Sequence, residues 1–153
     1  MPKSNAKANS AGPAGSAGGH GARQMDALMK QAEEVAHRSY SKYSTFKVGA
    51  ALQLSNGKVV TGTNVENKSY GLTICAERSA LVRAVAEYGP EIRVVAMAVT
   101  NLKHKDSSPC GACRQVLSEF TEPDAPVAFP WKKQVRIEPF SALAPFPFAP
   151  ARK

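Results

Sequence analysis

Three cysteines and a glutamate carry the chemistry legible in this chain. Cys75 stands two residues before Glu77, and Cys110 and Cys113 lie in a Pro-Cys-Gly-Ala-Cys run that begins at Pro109. The 153 residues contain three cysteines in all, so every thiol falls inside one pattern. Three thiolates can take three corners of a zinc tetrahedron and leave the fourth to water, the open coordination that separates a catalytic from a structural zinc. A carboxylate beside that water, itself no ligand, can carry its proton. The pattern predicts one Zn2+ per subunit held by Cys75, Cys110 and Cys113, with Glu77 as proton shuttle.

Other readings of the thiols fit less well. A disulfide framework uses an even number of cysteines and an oxidising compartment. A closed structural zinc needs a fourth protein ligand, and His20, His37 and His104 lie at no ligand-like spacing from the cysteine pair. Any single cysteine can be an inert core residue, since free thiols are often buried. That reading does not account for all three together.

Those residues need elements that bring them to one place. Apolar Met25, Leu28, Met29, Ala32, Val35 and Ala36 recur at three- and four-residue intervals and predict an amphipathic helix over 24–40. Two β-favouring runs, 46–54 and 58–65, flank Asn56 and Gly57, the dipeptide that suits a tight hairpin turn. A second helix is predicted over 75–88, where Ala76, Ala80, Leu81, Ala84 and Val85 share a face and Gly89 with Pro90 supplies the stop. A buried strand over 92–99, a polar loop to Pro109, a third helix over 110–120 and weaker strands over 126–129 and 134–137 complete the pattern. Cys75 and Glu77 then sit in the first turn of the second helix. Cys110 and Cys113, three residues apart on the third, face one side. Helix N-termini favour thiolates. Zinc with three thiolates keeps one formal negative charge, which Arg78 or Arg114 could offset by hydrogen bonding to sulfur.

The chain is long enough for one domain with its own core. No stretch approaches the roughly 20 apolar residues of a membrane span, and residues 1–21 hold no apolar run of a signal peptide, so a cytoplasmic protein is expected. Residues 1–23 are dominated by Ala, Gly, Ser and Asn and offer no periodic apolar residue before Met25. They are expected to form a disordered tail, with 24–153 as the single domain. Of the 20 basic residues, Lys3, Lys7, Arg23, Arg152 and Lys153 lie near the ends, leaving 15 against 12 acidic residues between them. Most of the net charge of +8 is therefore terminal, and no basic run interleaved with aromatics marks a nucleic-acid surface.

Several segments resemble one family. Phe46-Lys-Val-Gly-Ala-Ala-Leu, Asn64-Val-Glu-Asn, Ser69-Tyr-Gly-Leu-Thr-Ile-Cys-Ala-Glu-Arg and Ser108-Pro-Cys-Gly-Ala-Cys-Arg-Gln-Val-Leu are similar to the motifs of the small homotetrameric cytidine deaminases, in the same order and at similar separations. The resemblance runs from about Tyr40 to Phe120, with a fainter echo near the C-terminus. It implies an α/β fold, a three-layer α/β/α sandwich whose mixed sheet of about five strands carries helices on both faces. It also implies zinc-dependent hydrolytic deamination of cytidine and deoxycytidine to uridine, deoxyuridine and ammonia, a pyrimidine-salvage reaction, in a homotetramer.

By the same resemblance, Cys75, Cys110 and Cys113 match the zinc ligands, and Glu77 matches the acid-base that takes a proton from zinc-bound water and delivers protons to the pyrimidine. Asn64 and Glu66 match the ribose-binding pair, and Phe46 matches an aromatic beside the base. The backbone of Ala76 and the carbonyl of Pro109 match groups on the pyrimidine edge and its amino group. Arg78 matches an arginine that hydrogen-bonds the thiolates, and Tyr70 a tyrosine near a neighbouring subunit's site. Without the resemblance, Asn64 and Glu66 read as turn residues and Phe46 as core.

The chain departs from the family pattern after Phe120. Where a Leu-Leu-Pro stretch and a closing Phe are usual, it has Leu143-Ala-Pro-Phe-Pro-Phe; Phe148 is the better match to that Phe and Phe146 the alternative. Nucleic-acid-editing deaminases generally use His where this chain has Cys75, and Asn64-Val-Glu favours a free nucleoside. A deaminase of the aminopyrimidine nucleoside blasticidin S remains a rival. A silent zinc scaffold is another, though it would have no use for Glu77.

Overall fold

The computed structural model describes residues 19–149, and of Gly19 and His20 the backbone only. The first helix, α1 (Gly19–Ala36), begins inside the segment expected to be a tail and ends four residues short of Tyr40. The rest of that tail, residues 1–18, lies outside the described residues. The helix stops because the chain turns through Arg38 and Ser39, whose amides donate to Val35 and Ala36 carbonyls, and Tyr40 then bridges to Val65.

Strands β1 (Val48–Leu54) and β2 (Val59–Thr63) form the predicted hairpin. Gly57 takes φ 82°, a left-handed conformation that glycine adopts without a Cβ clash, and its amide donates to the Leu54 carbonyl at 2.9 Å. A short 3-10 turn over Tyr70–Leu72 leads into α2 (Ala76–Tyr88), which ends at Gly89, φ 86°. Next come β3 (Val94–Asn101), α3 (Gly111–Leu117), β4 (Pro126–Trp131), β5 (Gln134–Pro139) and the four-residue helix α4 (Phe140–Leu143).

The strands form one mixed sheet ordered β2-β1-β3-β4-β5, with only the β3–β4 pair parallel. Alternation along the strands divides the core in two. Ala51, Ala96, Ala98 and Ala128 face Met25, Leu28 and Ala32 of α1. Ala50, Leu52, Leu54, Met97, Val99 and Val127 face the other way, onto Ala76, Ala80 and Leu81 of α2 and Cys113 and Leu117 of α3. The result is the expected three-layer α/β fold.

Two strand glycines set how closely the helices approach. A Cβ on Gly49 would lie 1.9 Å from the Ala32 carbonyl oxygen of α1. On the opposite face, a Cβ on Gly62 would lie 2.3 Å from the Ala80 nitrogen and 2.6 Å from the Ala76 carbonyl oxygen of α2. Both obstacles in the second case are backbone, so no rotamer change relieves them. Gly62→Ala is expected to push back the N-terminal half of α2 and to destabilise the fold by about 3 kcal/mol, the upper end of overpacking effects, read by denaturant unfolding.

The β4–β5 turn shows the reverse situation. Lys132 and Lys133 fill a two-residue hairpin loop with φ 50° and 63°, a conformation usually given to Asn-Gly. Lys133→Gly should therefore stabilise the protein by about 1 kcal/mol by removing a left-handed side-chain clash, seen as a raised Tm.

Candidate active site

Each of the two helices α2 and α3 begins at a cysteine. Cys75 is the N-cap of α2 and Cys110 the N-cap of α3, both in extended backbone conformation, while Cys113 sits one turn inside α3. The Cys113 amide donates to the Cys110 sulfur at 3.5 Å, so this cap is made by sulfur where Ser or Asp is more common. The short helices contact each other on one face of the sheet, which brings their N-termini together.

The Cys75 and Cys110 sulfurs are 3.8 Å apart. All three sulfurs lie within 4.8 Å of one another, and none is in a disulfide. Zinc–sulfur bonds of about 2.3 Å make a tetrahedron whose edge is about 3.8 Å, so the sulfur triangle fits a single zinc. Among the described residues it is the one group of three or more potential ligands so placed, and Glu77 is not part of it.

The thiols are electrostatically unequal. Cys75 is pulled down to about 5, first by a hydrogen bond from Cys113 and further by Arg78. Cys113, fully buried, is pushed far up because it keeps the proton it shares with Cys75 and because burial and Glu77 oppose its charge. The Arg78 guanidinium donates through Nη2 to the Cys75 sulfur at 3.5 Å and to the Thr73 carbonyl at 3.2 Å. Of the two arginines considered for the sulfurs, Arg78 is the one in contact. Arg114 instead donates to the carbonyls of Pro109 (2.7 Å) and Leu143 (3.0 Å) and to the Ser108 hydroxyl (3.0 Å).

Glu77, in the first turn of α2, is 4% exposed. Burial pushes its carboxyl up to about 7, and the neighbouring Cys75 charge adds to the shift. Its protonated and ionised forms are thus both accessible near neutrality.

These groups open onto a cleft of about 260 Å³ at the carboxyl end of β3. Cys75, Glu77 and Cys110 line it together with the apolar Phe46, Val48 and Val99 and with Asn64, Glu66, Ala76, Ser44 and Ser108. As the first residue of α2, Ala76 presents an N–H with no partner inside the helix. The Asn64 side chain accepts from the Ser39 hydroxyl (2.5 Å) and the Val48 amide (2.9 Å) and donates to the Phe46 carbonyl (2.9 Å). One of its four hydrogen-bonding positions therefore remains for a ligand. The Glu66 carboxylate accepts from the amides of Tyr43 and Ser44 and from the Ser44 hydroxyl, and the hydroxyl in particular holds it below the usual carboxylate range.

Tyr70 and Phe148 stand apart from this cleft. Tyr70 packs edge-on against Tyr43 and is 77% exposed, and Phe148 is 75% exposed. Sequence reasoning also passed over Asn101. Its buried side chain donates to the Lys105 carbonyl and the Ser107 hydroxyl and accepts from the Lys103 and Lys105 amides, shaping the loop that leads to Ser107 and Ser108. The available signal was a lone Asn where a strand meets a polar loop, a common turn former.

A sheet layered between helices, with a cysteine triangle at two helix N-termini and a buried carboxyl beside it, defines a zinc hydrolase architecture. The family model described as the cytidine and deoxycytidylate deaminase zinc-binding region matches residues 22–128. The chain is 48% identical over 105 residues to the cytidine deaminase of Halalkalibacterium halodurans, an alignment covering 69% of this chain and 76% of that one. The crystal structure of cytidine deaminase from Burkholderia pseudomallei superposes with a TM-score of 0.70 at 43% identity, covering 80% of this chain and 98% of that chain. The Mycobacterium tuberculosis cytidine deaminase structure gives 0.69 at 36% identity, covering 81% and 96%. The chain belongs to this deaminase family, and zinc is the metal for which its sulfur triangle is spaced.

Proposed function

We propose that this chain is a hydrolase that deaminates cytidine and deoxycytidine, releasing uridine or deoxyuridine and ammonia. The observation that carries the reading is a buried carboxyl, Glu77, beside a zinc-sized triangle of sulfurs that opens into a nucleoside-sized cleft. Cys75, Cys110 and Cys113 hold the zinc, and Arg78 offsets their excess negative charge through Cys75. When bound, the metal makes water a nucleophile near neutral pH.

Glu77 takes a proton from the attacking water as a C–O bond forms at C4 of the ring. It gives this proton to N3, then takes the proton of the new C4 hydroxyl and passes it to the amine, which leaves as ammonia as the C4–N bond breaks and the C4=O bond forms. Phe46 packs beside the base. The Ala76 amide receives the pyrimidine edge, whereas the Pro109 carbonyl, matched to the 4-amino group by the resemblance, belongs to a buried residue outside the cleft lining and is held by Arg114. Asn64 and Glu66 receive the ribose hydroxyls, and the Glu66 charge is kept by its Ser44 and Tyr43 donors.

Tyr70 and Phe148 act at a neighbouring subunit's site in a homotetramer. Support comes from their exposure, together with that of Leu72, Ile74 and Phe146, since so many exposed apolar side chains suit an interface. No helix among the described residues is long and apolar enough to cross a membrane. We place the enzyme in the cytoplasm, with residues 24–153 as its deaminase domain.

The test follows cytidine absorbance with and without a zinc chelator. The expected result is loss of substrate absorbance and release of ammonia that the chelator abolishes and added zinc restores. Turnover that ignores the chelator, or zinc-loaded protein inert toward cytidine, deoxycytidine and blasticidin S, overturns the proposal. Turnover of blasticidin S alone reassigns the substrate.

A further inference from the structure

The turn before β1 carries a hydroxyl that joins two groups of the cleft. Ser44 lines the cleft together with Phe46 and Glu66. Its Oγ accepts from the Phe46 amide at 3.0 Å and donates to Glu66 Oε1. A hydroxyl has a single proton. With the Phe46 N–H occupying a lone pair of Oγ, that proton is directed to the carboxylate.

The Glu66 side chain needs such a device. Its backbone is fixed by the bond from its amide to the Tyr40 carbonyl at 2.8 Å, but beyond that point the side chain rotates about three bonds, and what holds its carboxylate decides where it points. The Tyr43 and Ser44 amides hold Oε2, at 2.8 and 3.2 Å, and the Ser44 hydroxyl holds Oε1. A carboxylate has about four lone-pair sites, so these three donors leave one, on Oε1, for a ligand in the cleft. Without the hydroxyl, Oε1 is free to swing about the fixed Oε2.

The turn is itself held in place. Thr45 takes φ 55°, a left-handed conformation that a β-branched residue rarely adopts. Its amide donates to the Ser41 carbonyl at 2.9 Å and its hydroxyl accepts from Lys103 Nζ at 3.1 Å, which keep it there. The donors of Ser44 are thereby aimed before any ligand arrives.

We infer that Ser44 is a positioning residue that holds the Glu66 carboxylate where it accepts the 3′-hydroxyl of a nucleoside. The inference rests on the function proposed above. The 3′-hydroxyl is the ring hydroxyl that cytidine and deoxycytidine share, so one aimed acceptor serves both substrates.

The test compares Ser44→Ala with the parent protein for cytidine kcat/KM, for bound zinc, and for 2′-deoxyuridine and 2′,3′-dideoxyuridine as competitive inhibitors. Those two inhibitors differ only in the 3′-hydroxyl. A misaimed hydrogen bond to a charged acceptor should lower cytidine kcat/KM by about 10-fold and weaken 2′-deoxyuridine by a similar factor. Inhibition by 2′,3′-dideoxyuridine and zinc content should stay at the parent values. Ser44 is exposed, so Ser44→Thr has room for its methyl group, keeps the hydroxyl and should recover the parental kinetics. In a Glu66→Ala background, Ser44→Ala should cost nothing further, because its action passes through Glu66.

Equal weakening of the two inhibitors, unchanged cytidine kinetics, a Ser44→Thr variant as impaired as Ser44→Ala, or losses that multiply in the double variant each overturns the inference and leaves the proposed function standing. A zinc-loaded parent protein inert toward cytidine removes the function and this inference with it.

Discussion

Replacing Glu77 by glutamine is expected to lower turnover of cytidine by at least about 10⁴-fold, the upper range for a positioned acid-base that moves several protons. Glutamine keeps the shape and can still hydrogen-bond, but it can neither accept the proton of water nor return one to the amine. Zinc content should not change, because the ligand cluster consists of the three sulfurs. The same substitution should stabilise the metal-free protein. Burial raises the Glu77 carboxyl from 4.5 to about 7, so the unfolded chain binds this proton more weakly than the folded one. Below about 4.5 the carboxyl is protonated in both states and contributes no penalty. As pH rises toward 7 the unfolded state ionises freely while the folded state resists, and stability falls. Above 7 the full penalty stands, about 3 kcal/mol for a shift of this size. A rise in unfolding free energy for Glu77→Gln over the metal-free parent at pH 8, shrinking to nothing near pH 4, would show that catalytic readiness is held at the expense of stability. Robust turnover by the variant would end the assignment of Glu77 as the acid-base.

The parts of this molecule readable from sequence are those specified locally. Asn56 with Gly57 and Gly89 with Pro90 act through their own backbone preferences, and the hairpin turn and the end of α2 fall where those residues predict. Cysteine spacing is equally local, since each thiol pattern needs only the start of one helix. Elements fixed by distant partners were misjudged. α1 stops at Ala36, short of the predicted end at Tyr40, because Tyr40 pairs with Val65. α3 ends at Leu117 because the chain must turn for Thr121 to meet Val94. α4 was not foreseen. Its first residue is held by a bond from the Phe140 amide to the Ala125 carbonyl, a contact no window of sequence contains.

The same distinction separates the legible from the illegible parts of the site. Phe46, Asn64, Glu66 and Ala76 were assigned through the motif resemblance and do converge on the cleft with Cys75, Glu77 and Cys110. Their supports were not legible. Ser39, Ser44, Asn101 and Arg114 act on groups whose proximity only the folded chain creates, such as Ser44 on Glu66 and Arg114 on Leu143. Arg114 stood beside Arg78 as an equal candidate for the thiolates. A guanidinium one residue from a ligand has no preferred direction in sequence, and here α3 turns it away from the sulfurs toward the Pro109 carbonyl and the Ser108 hydroxyl.

The second large effect concerns the metal. Cys113→Ala should leave a protein that binds zinc too weakly to survive dialysis, with activity lost and Tm lowered. Two sulfurs remain, one of them exposed, and the tetrahedron loses its buried corner. Metal binding in such a site is part of folding free energy, so the loss extends beyond chemistry. The parent protein should show the matching proton linkage. In the metal-free state Cys113 holds its proton firmly while Cys75 gives its own up at about 5, with Arg78 beside it. Zinc must then displace the Cys113 proton, and its apparent affinity should rise with pH through neutrality, with proton release on binding measurable by calorimetry in buffers of different ionisation enthalpy. Stoichiometric zinc in Cys113→Ala, or pH-independent binding in the parent, would be incompatible with a three-sulfur centre. The charge argument agrees with the geometry: Cys75, half-buried at a helix start beside a guanidinium, is built to be anionic without the metal, and buried Cys113 becomes anionic only with it.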